Sequence, residues 1–177
     1  VNPVNDAPTI DDLANANVDE DGIYTLELSG DDVDGDALTF LASVEANGLA
    51  SIDGSTLTVV PTADFNGDIT VNVIVSDGQA SGSGSFTLTV NAVNDAPVIS
   101  VIDAQSIDED SSLTLELSAS DIDSGELTFS ASNGDSEIVV DGTTLTITPP
   151  ANYFGSDEIT VTVTDGDLSD STTFTLT

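Results

Sequence analysis

Carboxylates carry almost all the chemistry this chain could do, and they stand at fixed spacings. Asp32-Val33-Asp34 and Asp121-Ile122-Asp123 are Asp-x-Asp pairs, while Asp19-Glu20-Asp21 and Asp108-Glu109-Asp110 are acidic triplets. Asn5-Asp6 and Asn94-Asp95 each join an amide to an acid, and Asp77-Gly78 and Asp165-Gly166 put an acid in a turn. Such oxygen donors suit calcium, which takes about six to eight of them at roughly 2.3 to 2.6 Å in flexible geometry. Magnesium demands octahedral geometry and keeps its waters, and zinc wants nitrogen or sulfur ligands from His or Cys, which the chain lacks. Ca2+ is the expected ion.

The balance of charge narrows the partners. There are 33 Asp and Glu and no Lys, Arg or His, a formal charge of -33. Nothing can neutralise a phosphate, so no nucleic acid is expected and cations are the natural partners; no run approaches the roughly 18 apolar residues of a membrane span, so no membrane insertion is expected. The absence of cysteine rules out disulfides. Catalysis would have to run on carboxylates, hydroxyls or a bound metal. Every acidic cluster occurs twice, as a structural device does and a unique active site does not, so no catalytic residue and no enzyme are expected.

The duplication covers nearly the whole chain. Val4-Asn5-Asp6-Ala7-Pro8 returns as Val93-Asn94-Asp95-Ala96-Pro97, an offset of 89 (93 minus 4), and the acidic groups follow at that spacing. After one lost residue the offset is 88, where Asp53-Gly54 meets Asp141-Gly142 and Phe86-Thr87-Leu88-Thr89 meets Phe174-Thr175-Leu176-Thr177. Two copies of one unit are expected, residues 1–92 and 93–177, each long enough for a core of its own. The segment opens in mid-motif and stops within a strand pattern, as a piece excised from a longer array would.

Hydrophobic residues make up 38% of the chain, against disorder. Thr25-Leu-Glu-Leu-Ser and Thr114-Leu-Glu-Leu-Ser alternate apolar and polar positions, as do Val71, Val73 and Val75 and their counterparts Ile159, Val161 and Val163. Asp-Gly turns separate these runs, and no stretch keeps a helical period. The expected fold is all-β: two tandem immunoglobulin-like antiparallel β-sandwiches of roughly seven strands each, end to end. Tyr24, Phe65, Tyr153 and Phe154 are expected to plug the ends of the cores.

Sandwich topology sends the acids to two ends of each copy. The triplet Asp19-Glu20-Asp21 falls at the end from which the last strand leaves; Asp32, Asp34 and Asp77 fall at the Asn5-Asp6 end. At the joint, Asp19, Glu20 and Asp21 are expected to meet Asn94, Asp95, Asp121, Asp123 and Asp165, with Asp64 or Asp68 as a further donor. Asn5, Asp6, Asp32, Asp34 and Asp77, and the triplet around Glu109, would be outer half-sites. An EF-hand is excluded, since Ala37 and Ser43 replace its glycine and closing glutamate and helices are lacking.

The connector, acidic turn, Asp-x-Asp loop and late Asp-Gly turn together resemble the bacterial cadherin-like tandem repeats of large secreted adhesins, of the RTX and type I secretion kind. By that resemblance Glu20 is the strand A glutamate, Asn94-Asp95 the linker Asn-Asp, Asp121 and Asp123 the Asp-x-Asp pair and Asp165 the late aspartate. Ala92 replaces the first linker acid, so one or two ions are expected rather than three. The resemblance implies an extracellular, cell-surface setting and a calcium-rigidified extender in cell adhesion or biofilm formation, with neighbouring repeats as partners. A monomer is expected; a surface glycan and a homophilic contact are left open. The alternative is a carbohydrate-binding module, for which two Tyr, six Phe and no Trp offer few platforms.

Overall fold

A computed structural model describes residues 4–123, 125–133 and 136–177. The chain forms two compact units, Val1–Val93 and Asn94–Thr177, all β among the described residues. No described helix is long and apolar enough to cross a membrane.

The first unit contains β1 (Thr9–Ile10), β2 (Ala16–Asp19), β3 (Tyr24–Glu27), β4 (Gly30–Asp31), β5 (Thr39–Val44), β6 (Gly48–Asp53), β7 (Thr56–Pro61), β8 (Gly67–Ser76) and β9 (Ser81–Asn91). A four-stranded sheet of order β2-β9-β8-β5 faces a three-stranded sheet of order β3-β7-β6, and β1 pairs with β4. Strand β2 runs parallel to β9, from Ala16 opposite Leu88 to Asp19 opposite Asn91. That pairing departs from the purely antiparallel pattern expected.

The second unit contains β10 (Val98–Ile99), β11 (Leu113–Glu116), β12 (Ala119–Ser120), β13 (Thr128–Ser132), β14 (Glu137–Asp141), β15 (Thr144–Thr148), β16 (Asp157–Thr164) and β17 (Ser169–Leu176). Its sheets are β13-β16-β17 and β11-β15-β14, with β10 on β12. The parallel pairing shrinks here to one bridge, Gln105 with Leu176.

Alternation drives these sheets together. Along β8, Ile69, Val71, Val73 and Val75 point inward and are buried, and Ile159, Val161 and Val163 do the same along β16. The first core joins Ile69, Val71 and Val73 to Leu57, Val59, Phe86 and Leu88; the second joins Ile159, Val161 and Val163 to Leu145, Ile147, Phe174 and Leu176. Each such aliphatic side chain contributes about 1.5 to 3 kcal/mol by leaving water. The hairpins β6–β7 and β14–β15 turn on Gly54 and Gly142, whose φ of 63° and 60° would strain any residue with a Cβ.

The aromatic plugs divide. Tyr24 packs on Phe86 with ring centroids 5.8 Å apart, and Phe65 lies against the first core. Tyr153 donates its hydroxyl to the Ser156 carbonyl instead, and Phe154 is 89% exposed. The expectation that Phe154 plugs a core is therefore corrected: it follows the Tyr153 position at which the first unit has Phe65, and the turn carries it outward.

Candidate functional site

Strand β8 separates two acidic ends of the first unit. It runs ten residues from Gly67 to Ser76, so at about 3.3 Å per residue the loop before it and the turn after it lie roughly 30 Å apart. Asp64 precedes it and Asp77 follows it.

At the Asp77 end the connector is tied down by two loops. Asn5 donates its Nδ2 to Asp77 Oδ2 at 2.8 Å, and the Asp6 amide donates to Asp34 Oδ2 at 2.8 Å. Asp32 Oδ1 in turn accepts the amides of Asp34, at 2.9 Å, and Asp36, at 3.2 Å. Asp77 Oδ1 accepts the amides of Gln79 and Ala80 at 2.7 and 2.6 Å. The Ala80 amide, the Asn5 side chain and the Gln79 amide hold the Asp77 carboxyl below its ordinary pKa.

The second unit repeats this arrangement. Asn94 Nδ2 donates to Asp165 Oδ2 at 2.7 Å, the Asp95 amide to Asp123 Oδ2 at 2.8 Å, and the Asp123 amide to Asp121 Oδ1 at 2.8 Å. Asp165 Oδ1 accepts the amides of Asp167 and Leu168, both at 2.7 Å. The Asn94 side chain first, then the Leu168 and Asp167 amides, lower its pKa.

The far end of the first unit is organised around Glu20, the one buried charged side chain among the described residues, at 6% exposure. Its amide donates to the Asn91 carbonyl at 2.9 Å and its Oε1 accepts the Val93 amide at 2.5 Å. Asp19 Oδ1 accepts the Asn91 side chain at 3.0 Å, and Asp21 Oδ1 accepts the Asp64 amide at 3.3 Å. In the second unit Asp110 Oδ1 accepts the Asn152 amide at 2.9 Å, and Asp108 and Glu109 are exposed. Asp21, Asp64, Asp110 and Asn152 all have φ between 55° and 63°, a region that Asp and Asn enter more readily than other side chains.

Within each unit, then, the sequence-predicted residues sort into the groups Asn5, Asp6, Asp32, Asp34, Asp77 and Asn94, Asp95, Asp121, Asp123, Asp165, with Asp19, Glu20 and Asp21 at the other end of the first. Asp64 joins Asp21, whereas Asp68 lies in the sheet and accepts the Thr89 hydroxyl at 2.8 Å. Asn91 was missed by sequence reasoning; its signal was the parallel pairing that sets it opposite Asp19.

The donor set fits calcium. It consists of carboxylate and amide oxygens with no cationic side chain nearby. Asp32 Oδ2 is buried and has no hydrogen-bond partner, a costly state for a carboxylate oxygen unless a cation meets it.

The bacterial Ig domain family matches twice, over residues 5–91 and 94–177. Chitinase A of Pseudoalteromonas piscicida is 33% identical over 180 residues, covering 98% of this chain; the chain spans only 22% of that enzyme's length. Among solved structures, Drosophila N-cadherin EC1-4 has a TM-score of 0.60 at 18% identity, over 97% of this chain and 49% of its own. Human protocadherin-24 EC1-2 has a TM-score of 0.57 at 14% identity, over 98% of this chain and 100% of its own. At these identities the cadherins share the fold.

Proposed function

The chain belongs to the bacterial Ig domain family, in two consecutive copies, and from that premise we propose that it is a calcium-stiffened spacer of a secreted, cell-surface protein. The parent is an adhesin of the RTX, type I-secreted kind, and the chain lends it length rather than catalysis. The observation that carries this reading is the recurrence, bond for bond, of the connector clamp in both copies, together with the desolvated Asp32 Oδ2. A catalytic site has no reason to occur twice in this way.

The protein's own residues do the following. Asn5 and Asn94 hold Asp77, in the β8–β9 turn, and Asp165, in the β16–β17 turn, in place by donating to them, and the lowered pKa keeps both carboxyls ionised. Asp34 and Asp123 fix the connector backbone, leaving the side chains of Asp6 and Asp95 outside that contact. Asp32, Asp34 and Asp77, and Asp121, Asp123 and Asp165, would hold the ion at the connector end of their units; Glu20, Asp19 and Asp21 would offer donors at the far end of the first. Calcium, when bound, supplies the positive charge that 33 carboxylates lack and stabilises the folded state by mass action. Calorimetric titration with calcium tests this, with affinity expected on the order of 10⁻⁴ to 10⁻³ M, as in extracellular modules. Replacing Asp121 and Asp123 by Ala is expected to remove one class of site, and small-angle scattering to broaden when EGTA is added. A flat titration would sink the reading.

A second reading is favoured by the likeness to Chitinase A: the same repeats as carbohydrate-binding modules of an extracellular protein. Co-sedimentation with insoluble chitin separates the two. Retention that survives EGTA supports a carbohydrate-binding module; no retention leaves the spacer role.

A further inference from the structure

Acidic residues guard the open edges of these sheets almost everywhere. Of the strands that end a three- or four-stranded sheet, β2 carries Asp19, β3 Glu27, β6 Asp53, β11 Glu116, β14 Glu137 and Asp141, and β17 Asp170. Charge on an edge keeps a second strand from pairing with it. The unguarded edges are β5 and its counterpart β13. They differ in one respect. On the outer face of β5 Leu41 is 66% exposed and lies directly opposite Ile74, whereas β13 and β16 set Ser130 against Thr162.

We propose that β5 is a self-association edge, at which two copies of this chain pair antiparallel about a twofold axis through Leu41. The sequence is self-complementary in that register. Side chains that oppose each other must lie on the same face, so residue numbers of a pair sum to an even constant. Centring on Leu41 sets Leu41 against Leu41, Thr39 against Ser43 and Phe40 against Ala42. Large meets small on the inner face, and hydroxyls meet on the outer one. The nearest acids also miss each other, since Asp36 falls opposite Ala46 and Glu45 opposite Ala37. A chain of charge -33 could approach its own copy only along such a neutral strip.

The edge has room for the partner. An open slot of about 560 Å³ lies between β5 and β6, lined in part by Phe40, Ala42, Ala50 and Ile52, with no charged residue among its lining. Ala42 and Ala50 leave space there for the ring of the incoming Phe40. In the second unit Ile138 replaces Ala50 at the corresponding position, a larger side chain packed against that core. One strand edge covers less surface than a standard protein interface, so the dimer is weak, with a dissociation constant on the order of 1 mM at low salt. It tightens as salt screens the surrounding carboxylates.

The chain contains no cysteine, which gives a clean test on the whole molecule. In Leu41→Cys the two sulfurs face each other across the axis, at the Cα separation of about 4.5 to 5.5 Å that antiparallel pairs have and disulfides need. With copper phenanthroline as oxidant in 0.5 M NaCl, that variant is expected to form a covalent dimer at least tenfold faster than Ser130→Cys. Sedimentation of the unmodified chain should show a mass rising above 18.0 kDa with concentration. Leu41→Glu should abolish the rise, and Val139→Glu, which adds the same charge to an exposed position of the second unit, should not. Equal cross-linking of the two cysteine variants, or equal effects of the two glutamates, would overturn the proposal. Both positions are largely solvent-exposed, so circular dichroism should show every variant folded.

Discussion

The two units agree at their connector ends and disagree along their sides. The clamp of Asn5 on Asp77 and Asp6 on Asp34 reappears as Asn94 on Asp165 and Asp95 on Asp123, within 0.1 Å in both bonds. Away from it the same backbone is packed differently. Ile69, buried opposite Leu88 and beside Gly48, gives way to Asp157, opposite Leu176, which accepts hydrogen bonds from Asn133 and Ser136. Gly82 lets the Pro8 carbonyl lie against it, where Asp170 instead accepts the Ile99 amide at 3.0 Å. A core position tolerates any chemistry that fills the space and satisfies its polar groups. The clamp instead keeps the same donors and acceptors in both units.

Exchanging the side solutions between units should therefore fail, and this is the largest effect expected. Ile69→Asp places a carboxylate beside Gly48, which offers no hydroxyl, and should cost about 3 to 5 kcal/mol in urea unfolding. Asp157→Ala, which leaves Asn133 and Ser136 to find water, should cost about 1 to 2 kcal/mol. If the two losses are equal, the units do not differ in the way their packing suggests.

Close approach gives the next effect. A Cβ at Gly82 would collide with the Pro8 carbonyl oxygen, so Gly82→Ala should destabilise the first unit by about 1 to 3 kcal/mol. Asp170→Gly in the second unit loses the acceptor of the Ile99 and Ser171 amides and should cost about 1 to 2 kcal/mol. Denaturant midpoints of the two variants decide it.

The clamps should respond alike. Asn5→Ala and Asn94→Ala each remove one charge-assisted hydrogen bond and should weaken calcium binding by a similar factor of about 3 to 10, since such bonds are worth about 1 kcal/mol when exposed. Calorimetry that finds only one of them affected would break the equivalence.

Acid gives the smallest effect. Asp77 and Asp165 have folded pKa values depressed below 3.8, so what they add to stability is complete above that value and is lost as pH falls through the depressed one. Melting temperature should drop more steeply below pH 3.8 in the parent chain than in an Asp77→Asn, Asp165→Asn double variant.

Much of this was legible in the chain itself. Period-two alternation in Val71 to Val75 and Ile159 to Val163 names the buried face of a strand whatever its neighbours, and Asp-Gly marks the turns because a positive φ is local. The repeat likewise identified the acidic groups, since spacing survives without knowledge of the fold. Other features depend on atoms far apart in sequence, and only the tertiary structure decided them. It turned Phe154 outward, laid β2 parallel to β9, chose Asp64 over Asp68 as the neighbour of Asp21, and buried Glu20 beneath the Val93 amide. A sequence carries the preferences of each segment, but which carboxylate loses its water is set by what the rest of the chain brings against it.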